Sequence, residues 1–255
     1  SVLRLARAYT GREKIIRCGY HGWYDWARVG DVGVPASMGE LTFGVRYGDL
    51  DALEDLFKKH DNQIACVIME AVQGDEPPEG LLQGCIDMAH QHGALCILDE
   101  VKTGFRLAFG GAAQHYAVTP DLSTFGKACC NGYPGSFVSG RKEILSDKRC
   151  QVTWMSATFH CDPLSMIALE SVTNELKRRD GIAHQWKIGN RLIEGVNQAC
   201  EAGGLGYACS GANPNPRLPE GGERPLSRHA TWLFGTRILS TSYPPHVSHA
   251  FTLRA

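Results

Sequence analysis

Two ionisable side chains stand where open α/β proteins carry out their chemistry. The apolar run ALCILDE reaches Asp99 near its end, and the strand-like segment DLSTFG is followed at once by Lys127. In open α/β sheets, ligands bind beyond the carboxyl ends of the strands, so a carboxylate and an amine that close two buried strands face a common crevice. A lysine in a partly desolvated crevice near other cations gives up its proton more readily, and its amine then attacks carbonyl carbon. Pyridoxal phosphate needs such an amine for its Schiff base. It also needs an acid partner that keeps the ring nitrogen protonated, so that the ring acts as an electron sink. On spacing alone, an ordinary salt bridge accounts for the same pair.

The elements that must position this pair are legible in the apolar pattern. IACVIME and ALCILDE are continuous apolar runs separated by LLQGCIDMAHQHG, an amphipathic helix closing on Gly93. Strand, helix, strand reads as a βαβ unit of a parallel sheet covered on both faces. Upstream, DLDALEDLFKKH puts Leu50, Leu53, Leu56 and Phe57 on one helical face, with Asp51 near its start. SVLRLARAYTGREK fits a helix with only Ser1 as a capping signal, and the stretch from there to Gly48 reads as loop-rich. DLSTFG and GSFVSG are short strand candidates. From Pro163 the pattern is helical for nearly forty residues, with a break at Asp180 and Gly181. SGANPNPRLPEGGERP reads as a loop or linker, and TWLFG and HVSHAFTL as strands of a small terminal subdomain.

Composition narrows the function classes. With 26 basic against 27 acidic side chains in 255 residues, no global field recruits nucleic acid or an anionic membrane. A small-molecule substrate is the expectation. The apolar runs fall well short of the about 20 residues that cross a bilayer, and Ser1 to Arg7 lacks the apolar core of a signal peptide. The ten cysteines are scattered, several lie inside apolar runs, and none forms a CxxC pair. They read as small hydrophobes in a reducing, cytoplasmic compartment, with no metal site expected. The GKA at 126–128 lacks the flanking residues of a P-loop, and no GxGxxG follows a strand.

The words around Asp99 and Lys127 carry more. LDEVKTGFR and TFGKACCNGYP resemble the signature segments of the class III aminotransferases, which are fold-type-I pyridoxal-phosphate enzymes. The resemblance runs from Leu5 to about Gly204, through ARAYTGREK, YHGW, IMEAV, PEGLLQG, HGALCILDEV, AVTPDL and ATFHCDPLSMIALE. Within the family it is most similar to the glutamate-1-semialdehyde aminomutase-like branch. The resemblance implies an α/β fold: a large domain with a mostly parallel sheet flanked by helices over residues 1–204, and a partial α+β subdomain over 205–255.

It further implies Lys127 as the Schiff-base lysine and Asp99 as partner of the ring nitrogen. Val101 packs on one ring face and Tyr20 stacks on the other. Thr158 reaches the phosphate from a neighbouring subunit, which implies a homodimer with a shared site; a turn or helix-capping threonine is the other reading of that residue. His21 either fixes its loop, touches substrate or is structural, and Glu70 lines the crevice.

A Ser/Gly/Thr-rich phosphate turn is expected ahead of the first helix, and the sequence begins inside that helix. Departures from the family pattern are Ala71 in place of Pro, the Cys129–Cys130 pair, and Lys102, which either bonds the ring hydroxyl, lowers the Lys127 pKa or points to solvent. The activity implied is transamination of an amino acid or amine with a carbonyl acceptor. An aminomutase is the nearer alternative, and a noncatalytic dimerisation module is the alternative of another class.

Overall fold

Residues that are apolar on every side must be covered on every side, and three of the runs solve this by pairing with one another. In the computed structural model, which describes residues 1–204 and 208–211, a six-stranded sheet has the order β2-β1-β3-β4-β5-β6. The strands are β1 (Lys14–Cys18), β2 (Thr42–Gly44), β3 (Ile64–Glu70), β4 (Leu95–Asp99), β5 (Leu122–Phe125) and β6 (Phe137–Gly140). Every pairing is parallel except β5 with β6, which is antiparallel.

Nine helices accompany the sheet in the described residues: α1 (Val2–Thr10), α2 (Met38–Leu41), α3 (Leu50–Lys59), α4 (Leu81–Gln91), α5 (Gly111–His115), α6 (Lys142–Leu145), α7 (Lys148–Gln151), α8 (Pro163–Arg178) and α9 (Gly181–Ala202). Alternate strand residues feed two cores. Ile16, Val67, Met69, Cys96 and Leu98 pack with α3 and α4, whereas Ile15, Cys66, Ile68, Leu95, Ile97 and Leu122 pack with α1, α6 and α7.

The structure revises two expectations, the loop-rich stretch and the start of α3, and fixes the direction of a third element. The stretch read as loop-rich up to Gly48 contains β1 and β2: β1 pairs with β3 across the sheet and β2 with β1, and neither is long enough to show a period of its own. GSFVSG is an antiparallel edge, since its turn from β5 is too short for the crossover that a parallel neighbour requires. Helix α3 is capped by Asp49, whose carboxylate accepts from the Ala52 N–H at 3.0 Å; Asp51 lies inside the first turn. The TWLFG and HVSHAFTL segments, expected as strands, and nearly all of the Gly/Pro-rich segment lie outside the described residues.

Other local readings form as expected. Gly93 takes φ +65 after α4, and the next N–H, of Ala94, returns to the Ala89 carbonyl at 2.8 Å. Asp180, with φ +49, divides α8 from α9. Cys66 and Cys96 are fully buried, and burial pushes the Cys66 thiol up to about 12. No disulfide forms among the described residues. No helix among them is long and apolar enough to cross a membrane.

Candidate active site

The parallel register decides what meets at the carboxyl edge of the sheet. Glu70 lies opposite Asp99, and Asp99 lies opposite Thr124, so the ends of β3, β4 and β5 are level. Lys127 begins the 3-10 turn Lys127–Cys130, three residues past Thr124 on the strand beside Asp99. Asp99 is held from several sides. Its Oδ2 meets His21 Nδ1 at 2.7 Å, and its Oδ1 accepts the Val101 N–H at 3.1 Å. The Asp99 side chain is 12% exposed and that of His21 only 2%.

The other nitrogen of His21 faces the Cys18 carbonyl at 3.2 Å, and its ring stacks on Trp26 at 5.8 Å. Both ring nitrogens therefore face oxygen atoms that can accept a hydrogen bond. The chain reaches His21 through Gly19, whose φ of +105 suits glycine; an added Cβ would stand 2.5 Å from Glu70 Oε2. That same oxygen accepts the Tyr20 N–H at 2.8 Å. Glu70 thus fixes the backbone of the loop that delivers His21 to Asp99.

The remaining sequence-derived residues divide. Val101 packs beside the chain that leads into Lys127: a Cβ added to Gly126 would lie 3.5 Å from Val101 Cγ1. Lys127 is exposed and takes φ +49, a left-handed backbone costing about 1–2 kcal/mol in a residue with a Cβ. It opens onto a cavity of about 770 Å³ that Arg106 and Tyr133 also line, with Phe105 and Leu176 on its walls. Asp99, Val101 and Tyr20 are not among the residues that line it.

Tyr20 is 62% exposed. Thr158 sits in an exposed turn and does not cap α8; Asp162 does, accepting the Ser165 N–H at 2.9 Å. Lys102 does not point freely into solvent. It is half-buried and donates to the Gln73 carbonyl at 3.2 Å, tying the loop after β4 to the loop after β3.

The family described as aminotransferase class-III matches residues 46–203. This chain belongs to the class-III aminotransferases. It is 40% identical over 200 residues to a glutamate-1-semialdehyde 2,1-aminomutase of Nitratidesulfovibrio vulgaris, covering 71% of this chain and 47% of that protein. It is 38% identical over 189 residues to a 3-aminobutyryl-CoA aminotransferase of Cloacimonas acidaminovorans, covering 71% and 44%. The chain spans about half the length of these curated relatives. Among solved structures, the PLP internal aldimine form of the FumI protein of Sphingopyxis sp. MTA144 superposes with a TM-score of 0.79 at 26% identity, over 85% of this chain and 54% of that one.

A further carboxylate shapes this class-III site from behind. Glu100 is fully buried and accepts from the Thr103 hydroxyl and from the Ala112 and Ala113 N–H groups, each of the latter at 2.8 Å. Burial nevertheless raises its carboxyl above the ordinary range. Gly111 leaves the space it needs, for a Cβ there would fall 2.1 Å from Glu100 Oε2. The loop 100–113, which carries Val101, Lys102 and Arg106, is thereby closed on itself. The sequence reading assigned roles to neither Glu100 nor Arg106. The Glu100 signal was present as the second acid of DEV, an acid directly after an apolar run with small residues a dozen positions on.

Proposed function

We propose that this chain is the pyridoxal-phosphate-binding part, residues 1–204, of an enzyme that transfers an amino group between an amino acid or amine and a carbonyl acceptor. The observation that carries the reading is the juxtaposition of Asp99, keyed by His21, with Lys127 at the level ends of adjacent parallel strands. The donor set fits the cofactor. Asp99 Oδ2 accepts from His21 and retains a second lone-pair direction, so it can receive the N–H of a pyridinium ring. His21 fixes the orientation of that carboxylate.

When bound, pyridoxal phosphate supplies the electron sink for breaking bonds at the amino carbon. Lys127 is the covalent attachment point, and its released amine moves the proton at the substrate carbon. Its exposure on the cavity side leaves Nζ free to swing between these tasks. Val101 and Tyr20 bracket the ring. Thr158, on an exposed turn, would reach the phosphate held by a second copy, which makes the working unit a homodimer. Thiols without disulfides fit a reducing cytoplasm.

The test adds pyridoxal phosphate to the chain, records the absorbance change of lysine attachment, and locates the borohydride-trapped adduct by mass spectrometry. The adduct is expected on Lys127 and is lost in Lys127→Ala. An adduct distributed over other lysines, or unchanged absorbance in the variant, refutes the assignment. A second reading, an aminomutase that moves the amine within one molecule, is favoured by the 40% identity to such an enzyme. Turnover without any added keto acid distinguishes it.

A further inference from the structure

The turn that Lys127 begins holds two adjacent thiols. Cys129 and Cys130 are buried, their sulfurs 3.7 Å apart, in an apolar cluster with Phe105, Phe125 and Phe137. Cys129 Sγ also lies 3.7 Å from the Gly135 carbonyl, and Cys130 Sγ 3.7 Å from that of Ser165 at the start of α8. Room for the second sulfur depends on Gly135, where an added Cβ would collide with Cys130 Sγ.

Three chemistries are open to paired thiols, and their dimensions separate them. A disulfide asks for Cα atoms about 4.4 Å or more apart. Neighbours across a trans peptide stand at about 3.8 Å, so that bond forms only with strain. A divalent metal ion of the zinc type asks for about four ligands. No group of three or more His, Cys, Asp or Glu among the described residues could hold one, and an ion with open positions beside phenylalanines would bury uncompensated charge. A neutral trivalent arsenical asks for two sulfurs only, its third bond being to carbon. A soft centre with bonds of about 2.3 Å and angles of roughly 95° to 110° holds its sulfurs about 3.4–3.8 Å apart, a range that includes the observed separation.

We propose that Cys129 and Cys130 form a two-thiol site for neutral, monosubstituted trivalent arsenicals. The two arsenic–oxygen bonds of an aryl arsenous acid break as two arsenic–sulfur bonds form. The thiol protons leave with the oxygens as two waters, and no electron is transferred. Burial, with the neighbouring thiol, pushes Cys129 up to about 12. That slows chemistry which needs a free thiolate, but suits an exchange in which the departing hydroxyl takes the proton. Access comes through the turn itself, whose outer face at Ala128 and Asn131 lines the cavity onto which Lys127 opens. Two of its backbone bonds are long, from Cys129 N–H to the Gly126 carbonyl at 3.3 Å and from Asn131 N–H to that of Ala128 at 3.2 Å. A short 3-10 turn held in this way opens locally at little cost.

The test titrates phenylarsine oxide into the whole chain, records the intact mass, and maps which cysteines it shields from alkylation. Trypsin cleavage after Lys127 and Arg141 releases residues 128–141, in which Cys129 and Cys130 are the only cysteines. One phenylarsenic per chain is expected, shielding both, released by a small dithiol and retained in excess monothiol. Cys129→Ala and Cys130→Ala each lose one bond and should bind about a hundredfold or more weaker. Cys161→Ser, which removes the exposed thiol, should bind as wild type does. Shielding of other cysteines in place of this pair, release by monothiol, or equal affinity in wild type and the single variants overturns the proposal. Shielding is read in wild type, so the answer stands even where a variant fails to fold. Neither readout requires cofactor, so failure of this site is distinguishable from failure of attachment at Lys127.

Discussion

At the scale of single residues, the most consequential contact is the one between His21 and Asp99. A buried imidazole 2.7 Å from a carboxylate at a strand end fixes which oxygen faces the crevice. His21→Ala removes that charged hydrogen bond, and the affinity for pyridoxal phosphate is expected to fall about tenfold or more. Fluorescence titration of the cofactor measures it; unchanged affinity means that His21 only fills space. Glu100 gives a pH-dependent counterpart. Burial raises its folded carboxyl above the unfolded value, so its contribution to stability is full at pH below the ordinary carboxylate range and is lost as pH rises through the raised value. The stability advantage of wild type over Glu100→Gln should accordingly be widest in acid and narrow towards neutrality. Melting curves of both proteins across that range would show a constant gap if Glu100 titrated normally.

Elements differ in how much of themselves they show in one dimension. Helix α3 was legible because Leu50, Leu53, Leu56 and Phe57 repeat at the helical period, yet its cap shifted to Asp49, since capping depends on backbone geometry as well as residue type. Strands β3 and β4 were legible as unbroken apolar runs. Strands β1 and β2 were not, because five and three residues are too few to display a period and their ladder partners lie far along the chain. The edge of the sheet has its own fastening. Asp121, fully buried before β5, accepts from the Cys96 N–H at 2.7 Å, His90 at 2.8 Å and Arg141 at 2.9 Å, joining β4, α4 and the end of β6. Asp121→Ala strands these donors and should cost about 3 kcal/mol. Chemical denaturation measures it, and a loss near zero would show that solvent readily replaces the carboxylate.

At the scale of the whole molecule, several large apolar side chains in the described stretch that carries Thr158 are exposed. Trp154 is 79% exposed, Phe159 64% and Leu164 61% within a short stretch of chain. In the proposed homodimer these side chains would lie at the association face. Sedimentation velocity should find a dimer, and Trp154→Glu should shift it towards monomer; a monomeric wild type would remove the basis for a shared site. The sequence by itself determined the class of fold and the family, because apolar runs that need cover on both faces force a layered sheet and because the motifs at 98–106 and 124–134 are local. Only the tertiary structure decided who stands next to whom: Asp99 beside His21, 78 positions away, Glu70 beneath Tyr20, and Arg106 facing the cavity of Lys127. Those neighbours are set by parallel register and by loops closing in space, quantities that no local pattern of residues encodes.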